Sequence, residues 1–172
     1  WRDPYVFFNE EEGQYWMIFT AQDMRTMPLQ RMGVVALATS PDLVKWTMQE
    51  PIFAPGLVDS EECPDLFKMG DWYYLVFSCT SEAWATRYRM SKSLSGPWQS
   101  APDDLFDAGG YYAAKTMSDG NKRYLAGWFA DKEGRTDNGK WLWGGCLLVH
   151  ELVQRPDGTL GVKIPEGLAG AF

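Results

Sequence analysis

WRDPYVFF (Trp1–Phe8), followed after a turn by YWMIFT (Tyr15–Thr20), and ECPDLFKM (Glu62–Met69), followed after a turn by YYLVFS (Tyr73–Ser78), are two copies of one phrase. Pro4 and Pro64 are 60 residues apart, and Tyr15 and Tyr73 are 58 apart. A looser third copy runs GGYYAAKTM (Gly109–Met117), a turn at Asp119-Gly120, then RYLAGW (Arg123–Trp128). The second halves echo as well: ATSPDLVKW (Ala38–Trp46) resembles RMSKSLSGPW (Arg89–Trp98), with Ser40 and Ser91 offset by 51.

Within each copy the apolar runs are short and rich in aromatic and β-branched residues: Tyr5–Phe8, Tyr15–Phe19, Val34–Ala38, Trp72–Phe77, Arg123–Trp128 and Cys146–Val149. Turn dipeptides separate them at Glu12-Gly13, Gly70-Asp71, Asp119-Gly120 and Asp157-Gly158, and no long window carries helical periodicity. The chain reads as all-β. A unit of 50 to 60 residues holding about four short strands matches the blade of a β-propeller. A four-stranded sheet cannot bury both faces by itself, and a ring gives each sheet two neighbours. Three blades are predicted within residues 1–172, at about 1–56, 57–105 and 106–165. A closed propeller takes about four to eight. The remaining blades are therefore expected from the same or another chain, and a start at Trp1, directly before a strand, reads as a segment of a longer protein. No compartment is assigned.

Composition narrows the function. A net charge of −7 argues against a nucleic-acid partner, which takes a concentrated basic face. No apolar run reaches the ~20 residues of a membrane helix. Cys63, Cys79 and Cys146 form no CxxC pair, and with a single His they make a poor metal site; they read as small buried thiols, and neither metal nor cofactor is expected. Nine Trp suit a β-rich core or a ring-lined sugar site. Trp16, Trp46, Trp72 and Trp98, in strands or at repeat-equivalent turns, are assigned to packing.

The chemistry lies where the copies begin. In a propeller the innermost strand of each blade starts near the central axis. Asp3 and Glu62 open two successive copies in neighbouring registers, so they are expected to meet in one axial cavity. Glu61, next to Glu62, is expected to point the other way and sit in solvent as a rim residue.

These phrases resemble glycoside hydrolase family 32, the β-fructosidases: invertases, inulinases, levanases and sucrose-6-phosphate hydrolases. WRDPYVFF is similar to the Arg-Asp-Pro motif of that family and SEECPDLF (Ser60–Phe67) to its Glu-Cys motif. FDAGGYYAAKTM (Phe106–Met117), LAGWFAD (Leu125–Asp131) and LLVHELVQRPDGTLGVKIP (Leu147–Pro165) resemble its later segments. The resemblance implies a five-bladed propeller and a retaining hydrolase of β-fructofuranosides that uses three acidic residues. It implies Glu62 as general acid/base and Asp3 as the carboxylate that grips fructose hydroxyls and stabilises the transition state. Arg2 is implied as a sugar contact, Tyr112 and Trp128 as walls of the fructose pocket, and Cys63 as a neighbour of the acid. The nucleophilic Asp of the family sits in an Asn-Asp-Pro motif that this chain lacks, so it is expected outside these residues and the segment alone is predicted inactive. His150 stands where the family often has Arg, and Gly110 where some members have Asp. Two rival readings keep the propeller: a furanosidase of the arabinanase and xylosidase type, and a non-catalytic carbohydrate-binding remnant.

Overall fold

In a computed structural model of the chain, residues 1–25, 30–168 and 170 are described. Twelve strands form three four-stranded sheets, each built from strands consecutive in sequence. The first holds β1 (Arg2–Asn9), β2 (Gln14–Gln22), β3 (Gly33–Ser40) and β4 (Thr47–Met48). The second holds β5 (Glu62–Met69), β6 (Trp72–Cys79), β7 (Ala85–Ser91) and β8 (Leu105–Phe106). The third holds β9 (Tyr111–Ser118), β10 (Arg123–Lys132), β11 (Trp141–Gln154) and β12 (Leu160–Lys163). All pairings are antiparallel. The sheets are three blades of a β-propeller, and β1, β5 and β9 touch in series along the inner edge.

Two apolar layers lie between the blades. Trp16, Ile18, Val35 and Leu37 of the first meet Leu66, Leu75 and Phe77 of the second. Tyr74, Val76, Tyr88 and Phe106 of the second meet Tyr111, Leu125 and Leu152 of the third. Trp16 is buried, Trp72 and Trp98 pack half-buried against these layers, and Trp46 packs half-buried on the opposite face of the first blade, against Phe19 and Ala38, all four in packing positions as their strand and turn places predict. The thiols divide differently from expectation: Cys79 is buried and Cys63 half-buried, but Cys146 is exposed. Its segment, Leu142–Leu147, extends beyond the layer that covers the rest of β11.

Every innermost strand carries the same irregularity. Asp3-Pro4 oppose one residue of β2, Cys63-Pro64 one residue of β6, and Ala113-Ala114 one residue of β10. The first residue of each pair is left-handed, with φ of 58° at Asp3, 51° at Cys63 and 54° at Ala113. These are β-bulges, which re-aim side chains at the price of local backbone strain. Their recurrence at one register makes Arg2, Glu62 and Tyr112 structural equivalents.

Candidate active site

The bulges bring those three equivalent residues together. Arg2 Nη2 donates to Glu62 Oε1, and the Tyr112 hydroxyl donates to Glu62 Oε2. The same guanidinium lies against Asp3, with Nε 3.7 Å from Oδ2. One arginine therefore lies against both carboxylates, so Asp3 and Glu62 face the same guanidinium at the inner edge. Burial, followed by the hydrogen bond to the Glu62 carboxylate, raises the pKa of Tyr112 far above the usual phenol range, so its hydroxyl stays a donor. The bond to Glu62 likewise raises the pKa of Arg2.

Asp3 is also held by donors from its own blade and the next. Its Oδ2 accepts the Cys63 amide at 3.1 Å. The Thr20 hydroxyl is shared between that oxygen, at 3.3 Å, and the Glu61 carbonyl, at 2.9 Å. The left-handed turn at Cys63 is what aims its N–H across the blade boundary. Ala113 repeats the device, its amide donating to Ser78 Oγ at 2.9 Å. Cys63 thus serves the site through its backbone. Its thiol is pushed up to about 11, first by burial and then by the charge of Asp3.

Glu61 departs from expectation. It is fully buried, and neither carboxylate oxygen has a hydrogen-bond partner among the described residues. Strand alternation does turn it away from Glu62, but in a propeller the opposite face is an interface. Its side chain presses on the backbone at Gly33, where a Cβ would collide with Oε2. Burial raises its pKa to about 7, only partly offset by the nearby backbone N–H of Glu61 itself and then by the positive charge of Arg89.

Trp128 pairs with Tyr112 across β9 and β10, and the rings lie 6.1 Å apart. Two further rings join them. Trp84 is 5.1 Å from Tyr112 and 4.5 Å from Trp143. Neither had a counterpart in the repeats; the available signal was a Trp at a strand edge that the repeat does not require. His150 is buried, with Nε2 2.9 Å from Asp107 Oδ2 and its ring edge-on to Tyr111. Gly110 (φ 104°) has no room for a side chain, since a Cβ there would lie 2.7 Å from the Trp141 ring.

Residues 1–157 match the family described as Glycosyl hydrolases family 32 N-terminal domain. The chain belongs to glycoside hydrolase family 32. Among proteins similar to this family 32 chain is a sucrose-6-phosphate hydrolase of Salmonella typhimurium, 31% identical over 90% of the chain and 38% of the relative. A raffinose invertase of Escherichia coli is 27% identical over 92% of the chain. The chain spans about 35% of the length of such curated relatives. Solved structures of similar fold include a family 32 β-fructofuranosidase of Bombyx mori, with TM-score 0.71, 21% identity and coverage of 97% of this chain and 38% of that one. A xylan β-1,4-xylosidase of Bacillus halodurans superposes with TM-score 0.73 at 20% identity, covering 94% and 33%. Its likeness is one of fold.

Proposed function

We propose that this chain supplies the acid/base half of a retaining β-fructofuranosidase. The observation that carries the reading is Arg2 lying against both Asp3 and Glu62, two carboxylates from successive blades. Retaining glycosidases set a nucleophile and an acid/base about 5–5.5 Å apart across the scissile bond. Glu62 acts as the acid/base: it protonates the departing glycosidic oxygen, then takes a proton from the water that hydrolyses the fructosyl-enzyme intermediate. Tyr112 orients its carboxyl group. Asp3 binds fructose hydroxyls through hydrogen bonds that strengthen as the ring flattens toward an oxocarbenium ion, which lowers the barrier rather than merely binding substrate. Arg2 contacts the sugar or its carboxylate partners, and Trp128 walls the fructose pocket. The nucleophilic Asp and the blades that carry it come from outside these 172 residues, in keeping with the greater length of the relatives.

In the full-length protein, Glu62→Gln is expected to lower kcat on sucrose on the order of a thousandfold, within the range general acid–base groups supply. Wild-type turnover by that variant rules the assignment out. Release of arabinose or xylose in place of fructose selects the xylosidase-type reading, and saturable sugar binding without turnover selects a binding remnant.

A further inference from the structure

A strained run of backbone leads into the strand that carries Tyr112. Between β8 and β9, Asp107 and Ala108 are both left-handed, with φ of 56° and 59°, and neither is glycine. Such backbone persists only where its surroundings over-determine it. The far end of the run is pinned through the main chain: the Gly110 amide donates to the Trp84 carbonyl at 2.7 Å, and the Gly110 carbonyl accepts from the Ala130 amide at 2.9 Å. At the near end, the side-chain anchor among the described residues is Asp107 Oδ2, 2.9 Å from His150 Nε2. A carboxylate only accepts, so Nε2 carries the hydrogen, in the neutral ring and the imidazolium alike.

We propose that His150 is a positioning residue for the acid/base group, acting through Asp107 and Tyr111 on Tyr112. The inference rests on Glu62 being the acid/base and Tyr112 its orienting partner, and it adds a residue from β11 to that chain of contacts. His150 holds the run from both sides. Its Nε2 binds Asp107 at the start, and its ring stands edge-on to Tyr111 just past the end, with centroids 5.1 Å apart. Tyr111 is fully buried, and its hydroxyl donates to the Leu125 carbonyl at 2.9 Å, which fixes its ring in the layer between the second and third blades. Successive side chains of a strand point to opposite faces. The setting of Tyr111 therefore decides the direction in which Tyr112 leaves β9, and Tyr112 leaves toward Glu62 Oε2. The open side of the third blade plays no part in this. His150 is buried and alternates on β11 with Leu148 and Leu152 on the side that meets the second blade.

Glu62 exchanges its proton in the transition state, so turning it out of line is expected to cost kcat rather than KM. In the full-length protein, His150→Phe keeps a ring against Tyr111 and removes the donor. Its kcat on sucrose is expected to fall roughly tenfold to a hundredfold, the scale of a small misplacement near the chemistry, with KM within about twofold of wild type. His150→Gln, whose amide N–H can reach Asp107, is expected to recover most of the loss. Asp107→Gly removes the acceptor and relaxes the left-handed backbone, and is expected to repeat the loss. The deciding measurement repeats His150→Phe in a Tyr112→Phe background, where the route to Glu62 is already cut: kcat is expected to fall no more than about twofold further. Losses that multiply across the two sites mark a general structural effect and overturn the proposal. So does a His150→Phe or Tyr112→Phe variant with wild-type kcat, or a loss that lies in KM. If His150→Phe does not fold, Asp107→Gly is carried through the same cycle. Glu62→Gln run alongside separates the two ideas: wild-type turnover by that variant overturns the acid/base assignment and the His150 role with it, whereas the cycle bears on His150 alone.

Discussion

Glu61 shows how a single carboxyl group records the architecture around it. Its pKa rises from 4.5 to about 7 because burial disfavours the anion. The groups around it are the Gly33 backbone, the Thr20 hydroxyl bound to its own carbonyl, Arg89 and Asp59. Arg89 is engaged with Asp104 and lies over the Phe77 ring, so it does not neutralise Glu61 directly. Below about pH 4.5 the group is neutral folded or unfolded and costs nothing extra. As pH rises toward 7 the unfolded chain ionises while the folded one holds its proton, so stability drains away across that window, on the order of 3 kcal/mol in total. Glu61→Gln is expected to remove that slope. Denaturant midpoints of wild type and variant between pH 4.5 and 8 measure it, and parallel profiles refute the account. The chemical oddity of Glu61-Glu62 was legible in the sequence; the burial of Glu61 was not, because it depends on which neighbour the reverse face meets.

At the scale of elements, turn dipeptides and aromatic runs were enough to place most strands and the repeat. The two-residue edge strands β4 and β8 carried no signal, and Gly144-Gly145 disguised β11 as a run of only four residues. The bulges were hidden for a different reason: Asp3, Cys63 and Ala113 adopt left-handed backbone without being glycine, so no residue type announced them. Asp-Pro and Cys-Pro marked the right places, but only the cross-strand register shows two residues opposing one. In the third blade the opposing residue is Gly127, where the first two have Phe19 and Phe77. A Cβ at Gly127 would lie 2.8 Å from that of Ala114 and 2.9 Å from the Tyr111 ring. Gly127→Ala is therefore expected to push β9 aside, costing about 1–3 kcal/mol in stability and lowering kcat by displacing Tyr112 from Glu62. Gly144→Ala, where an added Cβ meets nothing within 4 Å, provides the comparison for stability. Similar unfolding midpoints for the two variants contradict the packing argument.

For the molecule as a whole, the outer faces matter most. On the first blade, Met17, Phe19, Ala38 and Trp46 line an apolar hollow with Trp1 and Met48 at its rim. On the third, Met117, Leu147 and Val153 are exposed. Each face is what an inter-blade layer looks like with one partner missing, and the two differ, so neither is self-complementary. A ring satisfies both with further blades. The 172 residues expressed alone have only other copies of themselves, and the first face of one copy can seat the third face of the next, a head-to-tail contact that has no built-in end. The isolated chain is expected to self-associate as concentration rises, to bind a hydrophobic dye, and to release no fructose from sucrose. Leu147→Lys, which places a charge on one of the two faces, is expected to shift sedimentation toward monomer with the fold retained by circular dichroism. A chain that stays monomeric and dye-free at high concentration shows that these faces do not need partners; hydrolysis of sucrose by it places the nucleophile within these residues after all.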